Sequence, residues 1–164
     1  MKKIIMLCSV IVAGAAFVFA AEEEKNKEAS TTEHHAMTPS DLKWGEMPPG
    51  LPSGAKMAVL NGDPTQAGAF TVRMRAPAGY TIAPHNHPTM ERLTVISGAF
   101  LIGMGDKFNA AAMQKLGPGG YVALPSGMGH FAKTTSETIV QIDSEGPFQI
   151  NYVNPADDPS AAQR

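Results

Sequence analysis

Beyond its first twenty residues the chain has no cysteine: the single one is Cys8. A protein trimmed of that segment has no thiol nucleophile, no disulfide and no thiolate metal ligand, which excludes cysteine-rich structural zinc sites. A basic stripe is missing too. With 13 Lys and Arg against 15 Asp and Glu, net −2, no concentrated positive surface is available to neutralise phosphates, so nucleic acid is excluded as a partner. Apolar runs are short: the most apolar stretch, 4–20, stops before the ~20 residues that span a bilayer. What remains is ordinary. At 43% hydrophobic and 17% charged residues, the composition matches a folded soluble domain rather than a disordered chain or membrane body. A length of 164 residues accommodates one core.

The first twenty residues have the layout of a secretory signal peptide: Lys2 and Lys3, then the apolar stretch, then small residues ending in Val18-Phe19-Ala20, followed by Glu22, Glu23 and Glu24. Cleavage is expected after Ala20. Cys8 sits too near the start to follow a full apolar stretch as a lipoprotein cysteine does. Losing Lys2 and Lys3 takes 13 basic residues to 11, and against 15 acidic ones the mature chain carries −4. The expected location is periplasmic or secreted, with no membrane association after cleavage. Residues 21–42 are polar, charged and without apolar periodicity, so they form a flexible leader. Its His34-His35 pair is expected to be solvated and without function. The folded domain is expected over 43–156, with 157–164 as a tail.

Within that domain, short apolar runs are punctuated by glycine and proline. In 69–75, Phe70, Val72 and Met74 alternate with Thr71, Arg73 and Arg75, the two-residue period of a strand with one wet face. Similar runs at 56–60, 92–97, 99–104, 121–124, 130–135, 138–143 and 148–153 predict an all-β sandwich or barrel. The exception is 107–115, alanine-rich, preceded by Asp106 as an N-cap and stopped by Gly117-Pro118. It predicts one short surface helix.

The chemistry concentrates in 79–98 and 119–130. On an extended backbone His85 and His87 project to the same side, and Glu91, four residues on, keeps that parity. A fourth group, His130, enters a strand after the glycine-rich turn 125–129, so a neighbouring strand can deliver it to the same centre. All three histidines outside the leader fall in these two segments. Three imidazoles and one carboxylate suit a single divalent transition metal ion (Fe, Mn, Ni, Zn, Cu or Co) and disfavour calcium and magnesium.

The first segment resembles the first cupin motif: Gly79, His85-x-His87, Glu91 and Gly98. The second resembles the second cupin motif, with Gly119, Pro125-x-Gly127 and His130. It departs at Thr134, where the family pattern has asparagine; that position is not a ligand. The resemblance covers about 56–153 and implies a jelly-roll β-barrel, also called a double-stranded β-helix, of two sheets with the metal inside. It implies His85, His87, Glu91 and His130 as the metal ligands.

More loosely the stretch is similar to anti-sigma-factor cupins and to stand-alone exported cupins. The helical, cysteine- and histidine-bearing zinc domain of an anti-sigma factor is not in this sequence, which sets that role aside. Apolar residues expected to wall the pocket are Phe70, Val72, Met74, Leu93, Val95, Phe100, Ile102, Met104, Val122, Ala132, Val140 and Phe148. Met90, Met104 and Met128 lie closest in sequence to the ligands, while Tyr80 and Tyr121 are placed to orient a substrate. Arg73, Arg75 and Arg92 fall on outer parity, so no bidentate carboxylate clamp is expected. The expected activity is an oxygen-using or Lewis-acid reaction on a small, largely apolar carbonyl or enol compound, with no catalytic residue beyond the ligands identified. The alternative is a non-catalytic ligand-binding or stress-sensing module. A homodimer is expected, because small cupins resemble one another in covering an exposed edge or outer face by self-association.

Overall fold

The computed structural model describes residues 35–161. The chain divides into two units, Met1–Ala36 and Met37–Arg164. In the first, only His35 and Ala36 are described, both exposed and without regular structure. The expected signal peptide and cleavage point, His34 and most of the expected leader lie outside the described residues. No helix among the described residues is long and apolar enough to cross a membrane.

Alternating apolar residues build eleven strands: β1 (Gly45–Glu46), β2 (Lys56–Asn61), β3 (Gly68–Ala76), β4 (Thr81–Asn86), β5 (Glu91–Ser97), β6 (Phe100–Met104), β7 (Gln114–Leu116), β8 (Tyr121–Leu124), β9 (His130–Thr134), β10 (Thr138–Gly146) and β11 (Asn151–Tyr152). They form two antiparallel sheets, ordered β1-β2-β3-β10-β5-β8 and β11-β4-β9-β6-β7. This is the jelly-roll β-barrel that the two motifs imply. The core is its interior: Phe70, Val72 and Met74 of β3, Leu93 and Val95 of β5, and Val140 and Ile142 of β10 are buried against Phe100, Ile102 and Ala132 of the other sheet. In β3 the alternation is complete, with Phe70, Val72, Met74 and Ala76 buried and the residues between them half-exposed. Arg73 reaches Gln141 across the ladder and Arg75 lies 4.5 Å over the Trp44 ring, so both arginines do face outward.

Two local expectations are corrected. No α-helix forms over 107–115; a single 3₁₀ turn, Ala110–Ala112, is capped by Asn109, whose Oδ1 accepts from Ala111 N at 3.1 Å, and β7 follows at once. An isolated helix this short is marginal, whereas pairing onto β6 gives 114–116 main-chain partners along one edge. Of the run 148–153 only Asn151–Tyr152 is a strand. The residues before it line cavities instead.

A proline-rich strap, 47–52, is held by two phenols: Tyr80 Oη donates to Pro52 O at 2.6 Å and Tyr152 Oη to Gly50 O at 2.8 Å. Tyr80 is therefore a structural anchor rather than a substrate contact, and Tyr121 is exposed on the surface. Burial raises both hydroxyls' pKa, that of Tyr80 helped by Tyr152 and that of Tyr152, pushed up to about 12, by Asp158 and Asp157. Below pH ~10 both phenols are neutral in the folded and unfolded states and their contribution is intact. Above it the unfolded chain gives up protons that the folded one keeps, so stability should fall as pH rises from ~10 through the folded values. Denaturant midpoints at pH 9 and pH 11 should differ, and the difference should shrink in Tyr152→Phe. A variant with the same alkaline loss as the parent would rule out Tyr152 as the cause.

Candidate metal centre

His85 and His130 are direct cross-strand partners on β4 and β9, which places two imidazoles side by side on one sheet. His87 lies just beyond the end of β4, and Glu91 opens β5 on the facing sheet. The centre thus sits between the sheets at one end of the barrel. The 125–129 turn is tied to the first motif: Gly127 N donates to His87 O at 2.8 Å and Ser126 Oγ to Pro88 O at 2.6 Å. These bonds bring the two motifs together.

A β-bulge shapes the approach. The β4–β9 register shifts between Ile82 and His85, so both side chains, three residues apart, reach the interior. A bulge re-aims side chains in this way and is common beside functional sites. The parity argument fails across the bulge and again after β4, where the chain leaves the strand through 87–90 and Glu91 reaches the centre from the facing sheet.

The three imidazoles are within reach of one ion, their ligand atoms all within 4.8 Å of one another. Each Nδ1 is bonded to a main-chain carbonyl: His85 to Ala83 O at 2.7 Å, His87 to Gln149 O at 2.7 Å and His130 to Met128 O at 2.9 Å. A carbonyl only accepts, so each Nδ1 carries the proton and each neutral ring presents a bare Nε2. His87 Nε2 is buried with no partner. Glu91 is 6% exposed, and its Oε2 lies 3.5 Å from both His87 Nε2 and His130 Nε2. That is beyond the ~2.7–2.9 Å of a charge-assisted hydrogen bond.

Burial drives the His85 pKa down to about 4, aided by His130, and lowers that of His87 against the pull of Glu91. Burial pushes Glu91 up, but the close approach of His130 and His87, with His85 nearby, outweighs it and holds the carboxyl below its usual range. At neutral pH the arrangement is therefore a buried carboxylate faced by imidazole lone pairs. A cation relieves that arrangement, and nitrogen and carboxylate donors suit a divalent transition ion.

The cavity beside these groups is about 30 Å³, room for a water or two, and its other walls are apolar. Met74, Leu93, Phe100, Ile102, Ala132 and Phe148 line it as expected. Phe70, Val72, Val95, Met104, Val122 and Val140 do not, while Leu51, Ile82, Ile142 and Ile150 do so without having been foreseen. Ile142 shares the inward parity of Val140 and was legible; Ile82 is masked by the bulge, and Leu51 sits between glycine and proline with no periodic signal. Met90, Met104 and Met128 are 39%, 48% and 41% exposed, which leaves Met74 as the methionine at the cavity. Thr134, in the place of the motif asparagine, donates to Pro77 O at 2.5 Å and accepts from Tyr80 N at 3.1 Å. It holds the start of β4.

A family model described as the ChrR cupin-like domain matches residues 32–149. The chain belongs to this cupin family. None of the curated proteins searched matches the sequence significantly. Among solved structures, the polyketide cyclase RemF of Streptomyces resistomycificus is 17% identical over 80% of this chain and 94% of its own, with a TM-score of 0.62. An RmlC-like cupin of Shewanella frigidimarina is 17% identical over 69% and 90%, TM-score 0.54. The salicylate 1,2-dioxygenase of Pseudoaminobacter salicylatoxidans is 16% identical over 63% and 30%, TM-score 0.50. At such identities the likeness speaks to the fold.

Proposed function

We propose that this cupin is an exported mononuclear metalloenzyme whose ion is held by His85, His87, Glu91 and His130, acting on a small carbonyl or enol compound. The observation that carries the reading is the buried Glu91 carboxylate faced by imidazoles with bare Nε2 atoms, one of them unpartnered, beside an apolar cavity. A bound divalent ion supplies Lewis-acid polarisation of a substrate oxygen and, for a redox-active metal, electron transfer.

The chain's own groups hold, orient and desolvate. The carbonyls of Ala83, Gln149 and Met128 fix all three ring tautomers, so no ring has to reorganise to ligate. The apolar walls exclude water and strengthen electrostatics inside. The ionisable side chains lining the cavity are the four proposed ligands alone. With no arginine present there, orientation of the substrate falls to the ion and the shape of the cavity.

That scarcity of further acids and bases favours a second reading, a ligand-binding or stress-sensing module using the same centre. Export with removal of residues 1–20, and self-association into a homodimer, complete the proposal and rest on the sequence pattern. Metal analysis of protein purified from its native host, followed by titration of the stripped protein with Fe, Mn, Co, Ni, Cu and Zn, tests the centre. One ion per chain is expected. Turnover of small β-dicarbonyl or enol compounds by the loaded form supports the enzyme, and saturable binding without turnover supports the module. A chain that retains no transition metal refutes both.

A further inference from the structure

A second, much larger cavity of about 550 Å³ lies against the metal centre, between the strap 47–52 and the segment 147–151. Its volume falls in the range of small-molecule sites, whereas the 30 Å³ at the centre admits only the reacting end of a ligand. The two cavities share Leu51, Ile142, Phe148 and Ile150 as walls. Phe148 is the partition. One face of its ring stacks on His87, centroids 4.5 Å apart and 21° between planes, and its edge meets Phe70, which lines the larger cavity, at 5.4 Å. Gln149, whose carbonyl orients His87, also lines the larger cavity.

We propose that the larger cavity is the subsite for the apolar body of the substrate, a neutral molecule whose oxygen-bearing end passes Phe148 to reach the centre. This deepens the metalloenzyme reading and rests on it for the assignment of the reacting end. The chemistry of the body follows from the lining. Phe70, Val72, Met57, Leu51 and the strap prolines give an apolar floor and roof. No lysine or arginine lines the cavity, and its one charged residue, Asp158, is acidic. An anionic body finds no counter-charge there, while a neutral aromatic or aliphatic one loses its hydration favourably. The strap stays in place because Tyr80 and Tyr152 tie down its backbone, so the cavity is preformed.

The test uses the full chain, metal-stripped and metal-loaded, with the neutral fluorophore N-phenyl-1-naphthylamine as probe and its sulfonated analogue 8-anilino-1-naphthalenesulfonate as control. The neutral probe should bind one per chain, at least about tenfold tighter than the anionic one. Thr65→Trp and Ser160→Trp each put an indole at the cavity from residues outside the buried core. Each should weaken the neutral probe by about tenfold or more while leaving metal content and the melting temperature near those of the parent. Because the probe needs no ion, His130→Ala should bind it normally, so loss of the metal reading and loss of the subsite are seen separately. Absence of saturable binding, equal affinity for the anionic analogue, or binding unchanged in both tryptophan variants would overturn the proposal.

Discussion

His130→Ala should lower metal affinity by orders of magnitude while the barrel still folds. His130 is the one proposed ligand supplied by the second motif, and it faces both His85 across the β4–β9 ladder and Glu91 Oε2 at 3.5 Å. Its removal leaves the three first-motif groups, one ring short of the set and beside a small void that water can enter. Because an ion held only by the folded state stabilises that state, the melting temperature of metal-supplemented protein should fall with it. At a free metal concentration of 100 times the parent's dissociation constant, the lost stabilisation is about 2.7 kcal/mol. For a domain of this size that corresponds to roughly 10 °C. Stripping the parent should bring its melting temperature close to that of the variant. The double substitution His34→Ala/His35→Ala provides the contrast and should alter neither quantity, since His35 is exposed and precedes every strand in the sequence. Full occupancy and an unchanged melt in His130→Ala would show that the two motifs do not share an ion.

Much of this was legible because a two-residue period is hard to hide. The run 121–124 matches β8, and β2, β3, β5, β6 and β9 begin and end within a residue of their apolar alternation. His85, His87, Glu91 and His130 come together as the motif spacing implies, although it is the β4–β9 pairing and the turn 87–90 onto the facing sheet, not strand parity, that join them. What was not legible has a local physical cause in each case. The alanines of 110–112 favour a helix locally, yet a two-turn helix is marginal on its own, whereas 114–116 on the open edge of β6 is held by the sheet. The bulge in β4 breaks the periodicity that would have revealed Ile82. The strap 47–52 is aperiodic, and only the distant hydroxyls of Tyr80 and Tyr152 fix where it runs. Long-range contacts of that kind leave no trace in local pattern, which is also why the larger cavity and the carbonyls behind each imidazole emerge only from the fold.

Gly98→Ala should be the most destabilising of the motif-glycine substitutions, by about 3 kcal/mol or more, through two effects that add. The first is conformational: Gly98 turns the chain between β5 and β6 at φ +83°, a region that costs a side chain of L configuration about 1–2 kcal/mol. The second is steric. A Cβ there would lie 2.3 Å from Glu137 O, 2.6 Å from Thr138 Oγ1 and 2.7 Å from Thr138 Cα. Two of these are backbone atoms, and Thr138 is 1% exposed with its Oγ1 accepting from Ala99 N at 3.0 Å, so the crowded groups have nowhere to go. Gly79 separates the two effects. Its φ is +79°, nearly the same, but nothing lies within 4 Å of its would-be Cβ. Gly79→Ala should therefore cost only the conformational part, and denaturant unfolding of the pair measures the steric part by difference. Gly98 stands seven residues along β5 from Glu91, roughly 23 Å at ~3.3 Å per residue, so the damage should stay away from the centre. Well below its melting temperature Gly98→Ala should bind metal as the parent does, the reverse of the His130→Ala phenotype. If Gly98→Ala unfolds no more easily than Gly79→Ala, the tight turn against Glu137 and Thr138 is not a constraint on the barrel.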